Sequence, residues 1–91
     1  MSELRKWAVE VKLRDGCCVH CGAVDMLEAH HVYPRGRYPD LATHPMNGLT
    51  LCRGCHRWAH GSTLAFREWF RTAFPQRLAV LRSLSGIGWG K

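Results

Sequence analysis

The sequence predicts a small α+β fold: a strand–loop–strand–helix core, stapled by a four-cysteine zinc site and flanked by N- and C-terminal helices. Three observations predict it. Cys18, Cys21, Cys52 and Cys55 form two C-x2-C pairs with thirty residues between them. Apolar residues recur at helical spacing near both ends of the chain. Between the cysteine pairs the apolar stretches are short and punctuated by Pro and Gly, a pattern of strands and turns.

The elements follow in order. Ser2 is placed to cap a helix over 3–14, with Leu4, Trp7, Ala8 and Val11 on one side and Asp15-Gly16 at its end. Cys18-Val19-His20-Cys21-Gly22 makes a tight turn, where Gly22 supplies a positive φ. A strand over 26–33 ends at Pro34, and Pro34, Gly36, Pro39 and Pro45 mark a loop over 34–45. Asn47-Gly48 signals a turn, and Leu49-Thr50-Leu51 a second strand. Cys52-Arg53-Gly54-Cys55 repeats the first knuckle. A helix then runs to about His60, where Gly61 ends it and Ser62 caps the next. The C-terminal helices span 63–84. The first carries Leu64, Phe66, Trp69, Phe70 and Phe74 mostly on one broad face, which with Trp58 read as core. Pro75 breaks it, and a short helix with Leu78, Leu81 and Leu84 follows. The tail 86–91 is expected to be loose.

Ninety-one residues suffice for one domain and not for two, so 1–91 reads as a single domain with its motif core at 18–60. A core this small calls for a staple. The odd count of five cysteines argues against a closed disulfide framework, and two C-x2-C pairs point to zinc. Four thiolates fill a tetrahedral shell, so this zinc is structural. Cys17 could replace Cys18 as C-x3-C, but Cys18 fits better and Cys17 reads as a free structural thiol. The formal net charge is +6, and ten of the thirteen basic residues are Arg. Arg suits bidentate contact with phosphate, so DNA is the expected partner, although a merely solvated basic surface would give the same count. No apolar window is long enough to span a membrane, and the N-terminus lacks an apolar signal core, so a cytoplasmic location is expected.

The histidines carry the chemistry. His56 and His60 are four residues apart on the expected helix, a spacing that suits two ligands of one metal. The strand–loop–strand path would bring His30 and His31 back against that helix. Three imidazoles on one ion, with positions left for water and substrate, make an open catalytic site. One difficulty is geometric. Neighbours on a regular strand point to opposite faces, so both histidines can face the helix only if the strand twists or ends there. Pro34, three residues on, makes a strand end reasonable. Glu28 could orient His30 or His31, or be solvated. His20 and His44 read as surface residues.

Ala29-His30-His31, Asn47 and Cys52-Arg53-Gly54-Cys55-His56 together resemble the HNH endonuclease family, the ββα-metal nucleases. The likeness spans about Cys18 to His60 and is nearest to small stand-alone phage or restriction-type nucleases. It implies a metal-dependent DNA endonuclease with a one-metal mechanism. In that reading His30 and His56 are metal ligands, His60 is a third, His31 is the general base, and Asn47 ties down the loop that orients it. Arg35, Arg37, Arg53 and Arg57 are candidate phosphate contacts. Imidazole ligands favour zinc, nickel or manganese, while phosphodiester chemistry often uses magnesium, so Mg2+, Mn2+, Ni2+ and Zn2+ all stay open. Weak sequence specificity is expected, with nicking and double-strand cutting both open. A monomer is expected, with other phage or restriction proteins as conceivable partners. The alternatives are a non-catalytic zinc-ribbon-like DNA-binding module, which leaves the histidines unexplained, and a phage packaging accessory protein.

Overall fold

The first helix, α1 (Glu3–Asp15), forms where its caps allow. The Ser2 side chain accepts a hydrogen bond from the Arg5 amide, and Gly16 closes the helix in the left-handed conformation at φ 73°. This computed structural model describes residues 2–86, so the tail beyond Gly86, expected to be loose, lies outside the described residues. After α1 come β1 (Leu27–His31), β2 (Gly48–Cys52), α2 (Arg53–Gly61), α3 (Thr63–Ala73) and α4 (Pro75–Ser85). Two short 3-10 turns, Pro39–Leu41 and Pro45–Asn47, lie in the connection between the strands. Among the described residues no helix is long and apolar enough to cross a membrane.

The strands pair antiparallel, with His30 opposite Leu49 and His31 opposite Gly48. Directly opposed residues share a face, and faces alternate along each strand. Glu28, His30, Leu49 and Leu51 therefore lie on one side. Leu49 and Leu51 join Ala59, Phe66, Phe70, Leu78 and Leu81 in a buried cluster. Each large apolar side chain of this kind contributes roughly 1.5–3 kcal/mol on burial. The other face carries Ala29, His31, Gly48 and Thr50, and α1 covers it through the buried Trp7 and Val11. Hydrogen bonds tie α1 to β2. Thr50 donates its hydroxyl to the Val11 carbonyl and its amide to Asp15, and Arg14 donates to the Gly48 carbonyl.

Several expectations are corrected. The first strand ends at His31, short of Tyr33, because the Val32 amide turns to the Asn47 carbonyl and Tyr33 pairs with the Asn47 side chain. Asn47-Gly48 is not a hairpin turn: Gly48 is extended at φ −104° and begins β2. Its lack of a side chain serves packing. A Cβ there would run into Val11 Cγ2 and come within 2.9 Å of the Trp7 ring. Gly61 is the last residue of α2, as expected, but Ser62 forms the corner to α3 without a side-chain cap. Pro75 opens α4 at its first turn, where its missing amide hydrogen costs nothing. Leu64 and Leu84, expected on the apolar faces, are exposed.

Gly48→Ala should therefore destabilise the protein by about 1–3 kcal/mol, the usual range for overpacking a filled interior. Urea unfolding with zinc present measures it. An unchanged midpoint would mean that Trp7 and Val11 yield freely.

Candidate functional site

The four cysteines converge at the base of β2. Their sulfurs lie within 4.8 Å of one another. Cys18 and Cys21 sit on the first knuckle, where the Gly22 amide bonds the Cys18 carbonyl and Gly22 takes φ 85°, as expected for a turn of this kind. Cys52 ends β2 and also caps α2, its sulfur accepting from the Cys55 amide. The Val19 amide bonds the Thr50 carbonyl, which docks the first knuckle on the second strand. Cys21 and Cys52 sulfurs are 3.7 Å apart. Zinc–sulfur bonds of about 2.3 Å give a tetrahedral edge of ~3.8 Å, so the spacing fits zinc. Burial opposes ionisation of Cys18, but backbone amides of Cys52, Cys21 and His20 pull its thiol down to about 6. Burial and the neighbouring sulfurs push Cys55 up. Four thiols so close resist joint ionisation, and a cation relieves that resistance. The four cysteines can hold a structural zinc. Cys17 stands outside this cluster.

The second cluster joins His30, His56 and His60, whose ring nitrogens also lie within 4.8 Å of one another. His56 and His60, one turn apart on α2, bring their Nε2 atoms to 3.2 Å. Metal–nitrogen bonds of about 2.0–2.1 Å give a tetrahedral edge of ~3.3 Å. His30 is buried, and its Nδ1 has no hydrogen-bond partner among the described residues. A buried nitrogen left this way is costly unless something binds it. Burial, with the nearby His56 and His60, pushes His30 down to about 3, so the ring is neutral and able to ligate. His56 donates its Nδ1 hydrogen to Glu28 at 2.7 Å, which leaves its Nε2 lone pair facing His60. The hydrogen bond to His56, then the charges of His56 and Arg53, hold the Glu28 carboxyl below its usual range despite some burial. Glu28 therefore orients His56, not His30 or His31. The two-residue period of β1 puts Glu28 on the face of His30, and that alternation was the signal available in the sequence.

His31 does not join the three-imidazole cluster. It faces α1, stacked on Trp7 with ring centroids 4.1 Å apart, and its Nε2 donates to the Ala42 carbonyl at 2.9 Å. A carbonyl only accepts, so Nδ1 keeps its lone pair. Burial lowers the His31 pKa, the Ala42 carbonyl partly offsets this, and Arg35 and His56 lower it further. His31 still lines the same hollow as His30 and His60. The strand alternation thus holds, and the two neighbours meet only at the rim of that hollow.

Asn47 is fully buried and works as a piece of extra backbone. Its side chain accepts from the Tyr33 amide and donates to the carbonyls of Tyr33 and Leu41. Leu41 precedes Ala42, so Asn47 fixes the segment that holds His31. Glu28, Arg53, His56, Arg57 and His60 line an open hollow of about 390 Å³ beside the cluster. Arg35 is close enough to His31 to shift it, whereas Arg37 lines a separate hollow with Asp40 and Ser85. His20 is at the surface, as expected, and there stacks on Trp58 at 4.4 Å and reaches the Cys55 sulfur at 3.3 Å through Nδ1. Trp58 and Trp69, read as core, thus also hold this ring. Nothing in the sequence beyond the knuckle position of His20 signals that contact.

The family model of the HNH endonuclease matches residues 18–62. This stretch is an HNH endonuclease domain. It takes in both cysteine pairs, Asn47 and all four histidines of the site, and leaves out α1 and all but the approach to the C-terminal helices. HNH domains act on DNA. No curated protein and no solved structure matches the chain.

The cysteine geometry predicts one tightly held zinc per chain in protein purified without added metal. Elemental analysis with a thiol count checks it. Folded, zinc-free protein with four reactive thiols in the cluster would contradict it.

Proposed function

We propose that the HNH domain hydrolyses DNA phosphodiester bonds, with His31 as general base and one divalent cation held by His30, His56 and His60. The observation that carries this reading is the three-imidazole cluster. Its nitrogens fit one ion, one of its rings has an orphaned buried nitrogen, and the cluster opens onto an arginine-lined hollow. A divalent cation bound there supplies positive charge to the scissile phosphate and to the leaving oxygen.

The chain's own residues do the rest. His31 takes the proton of the attacking water at Nδ1, since Nε2 is committed to Ala42. Its lowered pKa keeps the ring unprotonated at neutral pH, the state a base requires. Trp7 on one side and the Ala42 carbonyl on the other restrict the ring to one orientation. Asn47 acts on this geometry indirectly, as a positioning residue, by holding Leu41 and Tyr33. Glu28 fixes the tautomer and rotation of His56. Arg53 and Arg57 border the hollow and meet the phosphate oxygens, with Arg35 near His31. Such contacts read the backbone and not the bases, so weak sequence preference follows. A purely DNA-binding module would keep the cysteines and the charge, but it gives no use to the Glu28–His56 pair or to the orphaned nitrogen of His30.

Adjacent histidines should fail differently. His31→Ala should retain affinity for the second metal and lose roughly 10²–10⁴-fold in cleavage rate, the span of general-base catalysis. High pH should restore part of it, since hydroxide replaces the base. His30→Ala should lose metal affinity, and excess manganese should recover part of its activity. Plasmid nicking titrated with manganese, beside calorimetry on zinc-loaded protein, separates the two. Loss of metal by His31→Ala with retention by His30→Ala would reverse the roles, and wild-type cleavage by both would end the nuclease reading.

A further inference from the structure

We propose that the outer face of α3 and the facing side of α4 form a second DNA-backbone site, built from Arg67, Arg71 and Arg82, which carries the duplex away from the histidine cluster. The proposal rests on the nuclease reading above and extends its substrate path into a part of the chain that the HNH match, ending at residue 62, does not cover.

The sequence of α3 separates two stripes. Phe66 and Phe70 turn into the core, Leu64, Glu68 and Arg71 are exposed at helical spacing on the outer side, and Arg67 lies half-buried between the two stripes. Arg82 of α4 completes a groove of about 410 Å³ with these residues. The groove is lined by three arginines and one glutamate. The Arg71–Glu68 pair, at 3.3 Å and more than half exposed on both sides, is the kind that water screens and that yields readily to a phosphate. Arg67 and Arg71 are one turn apart, about 6 Å along the helix axis. That is close to the separation of successive phosphates on one strand.

The groove is also in the right place. His60 is a wall of both the Arg53–Arg57 hollow and the small hollow that holds His30 and His31. Arg67 is a wall of that small hollow and of the α3–α4 groove. Three adjoining hollows therefore run across the protein, with the histidines in the middle and guanidiniums on both sides. A strand whose scissile phosphate sits at the histidines must continue in both directions. Arg53 and Arg57 meet one arm, and Arg67, Arg71 and Arg82 meet the other.

The test compares two double variants of the full zinc-loaded chain, Arg71→Gln with Arg82→Gln and, as control, Arg5→Gln with Lys6→Gln on the exposed side of α1. Both remove two positive charges. Binding to a fluorescein-labelled duplex of about 30 base pairs, long enough for both arms of the path at ~3.4 Å per pair, is followed by anisotropy over a range of salt. No divalent metal is added, and wild-type plasmid cutting with manganese is measured in parallel. The groove variant should bind at least about tenfold more weakly at roughly 0.1 M salt, and its log–log salt slope should fall by about 1.8, or ~0.9 for each phosphate that is no longer neutralised. The control should weaken by less than about threefold. Equal weakening in the two variants, or wild-type binding by the groove variant, would overturn the proposal while manganese-dependent cutting left the nuclease reading standing. A wild type that binds but never cuts would remove the nuclease reading instead, and the two salt slopes would still decide the groove.

Discussion

Side chains on a β-strand leave the backbone in opposite directions by turns, and β1 applies that constraint to two adjacent histidines. His30 emerges beside Glu28 toward α2, where His56 and His60 are one turn apart. His31 emerges toward α1, where Trp7 and the Ala42 carbonyl hold it. The register sharpens the division. His31 stands opposite Gly48, the one residue of β2 small enough to let Trp7 and Val11 close against the sheet. A one-residue slip of β1 would exchange the faces of both rings. The division of labour proposed for them is thus a property of the strand pairing as much as of the imidazoles.

What holds the register is a set of polar contacts at the two ends of the ribbon. At one end, Asn47 satisfies Tyr33 and Leu41 from within a fully buried position and so closes the long connection between the strands. At the other, Cys52 at once ends β2, joins the cysteine cluster and caps α2. That triple role fixes the rotational phase of α2 relative to the sheet. His56 and His60 follow within two turns, so the cluster that can take a structural zinc also sets where the second cluster forms. His20 and the Trp58–Trp69 pair couple the first knuckle to the C-terminal helices through a single ring.

The cysteine pairs and the spacing of His56 and His60 were legible because ligand chemistry needs particular residue types at short, fixed intervals. From the sequence, a strand end near Pro34 brings both His30 and His31 against the helix, whereas the alternation holds through His31 and sends it to the other face. Other features depend on what a residue meets across the fold. Gly48 looks like a turn residue in the sequence and is a packing residue, because its neighbours come from α1, far away in the chain. From the sequence Glu28 points to His30 or His31 as its partner, and only the placement of α2 gives it His56 instead. Leu64 and Leu84 carry apolar side chains at helical spacing yet stay in solvent, since the short helices α3 and α4 bury only a narrow stripe each. The membership of residues 18–62 in the HNH family accounts for the motif core, whereas the C-terminal helices had to be read from their own geometry.

Anomalous diffraction from crystals of the zinc-loaded protein soaked in manganese tests the central claim most directly. Two separate metal peaks are expected: zinc among the sulfurs of Cys18, Cys21, Cys52 and Cys55, and manganese bonded to nitrogens of His30, His56 and His60, with His31 beside it and unbonded. Manganese bonded to His31, or no second peak near α2 at saturating metal, would contradict it.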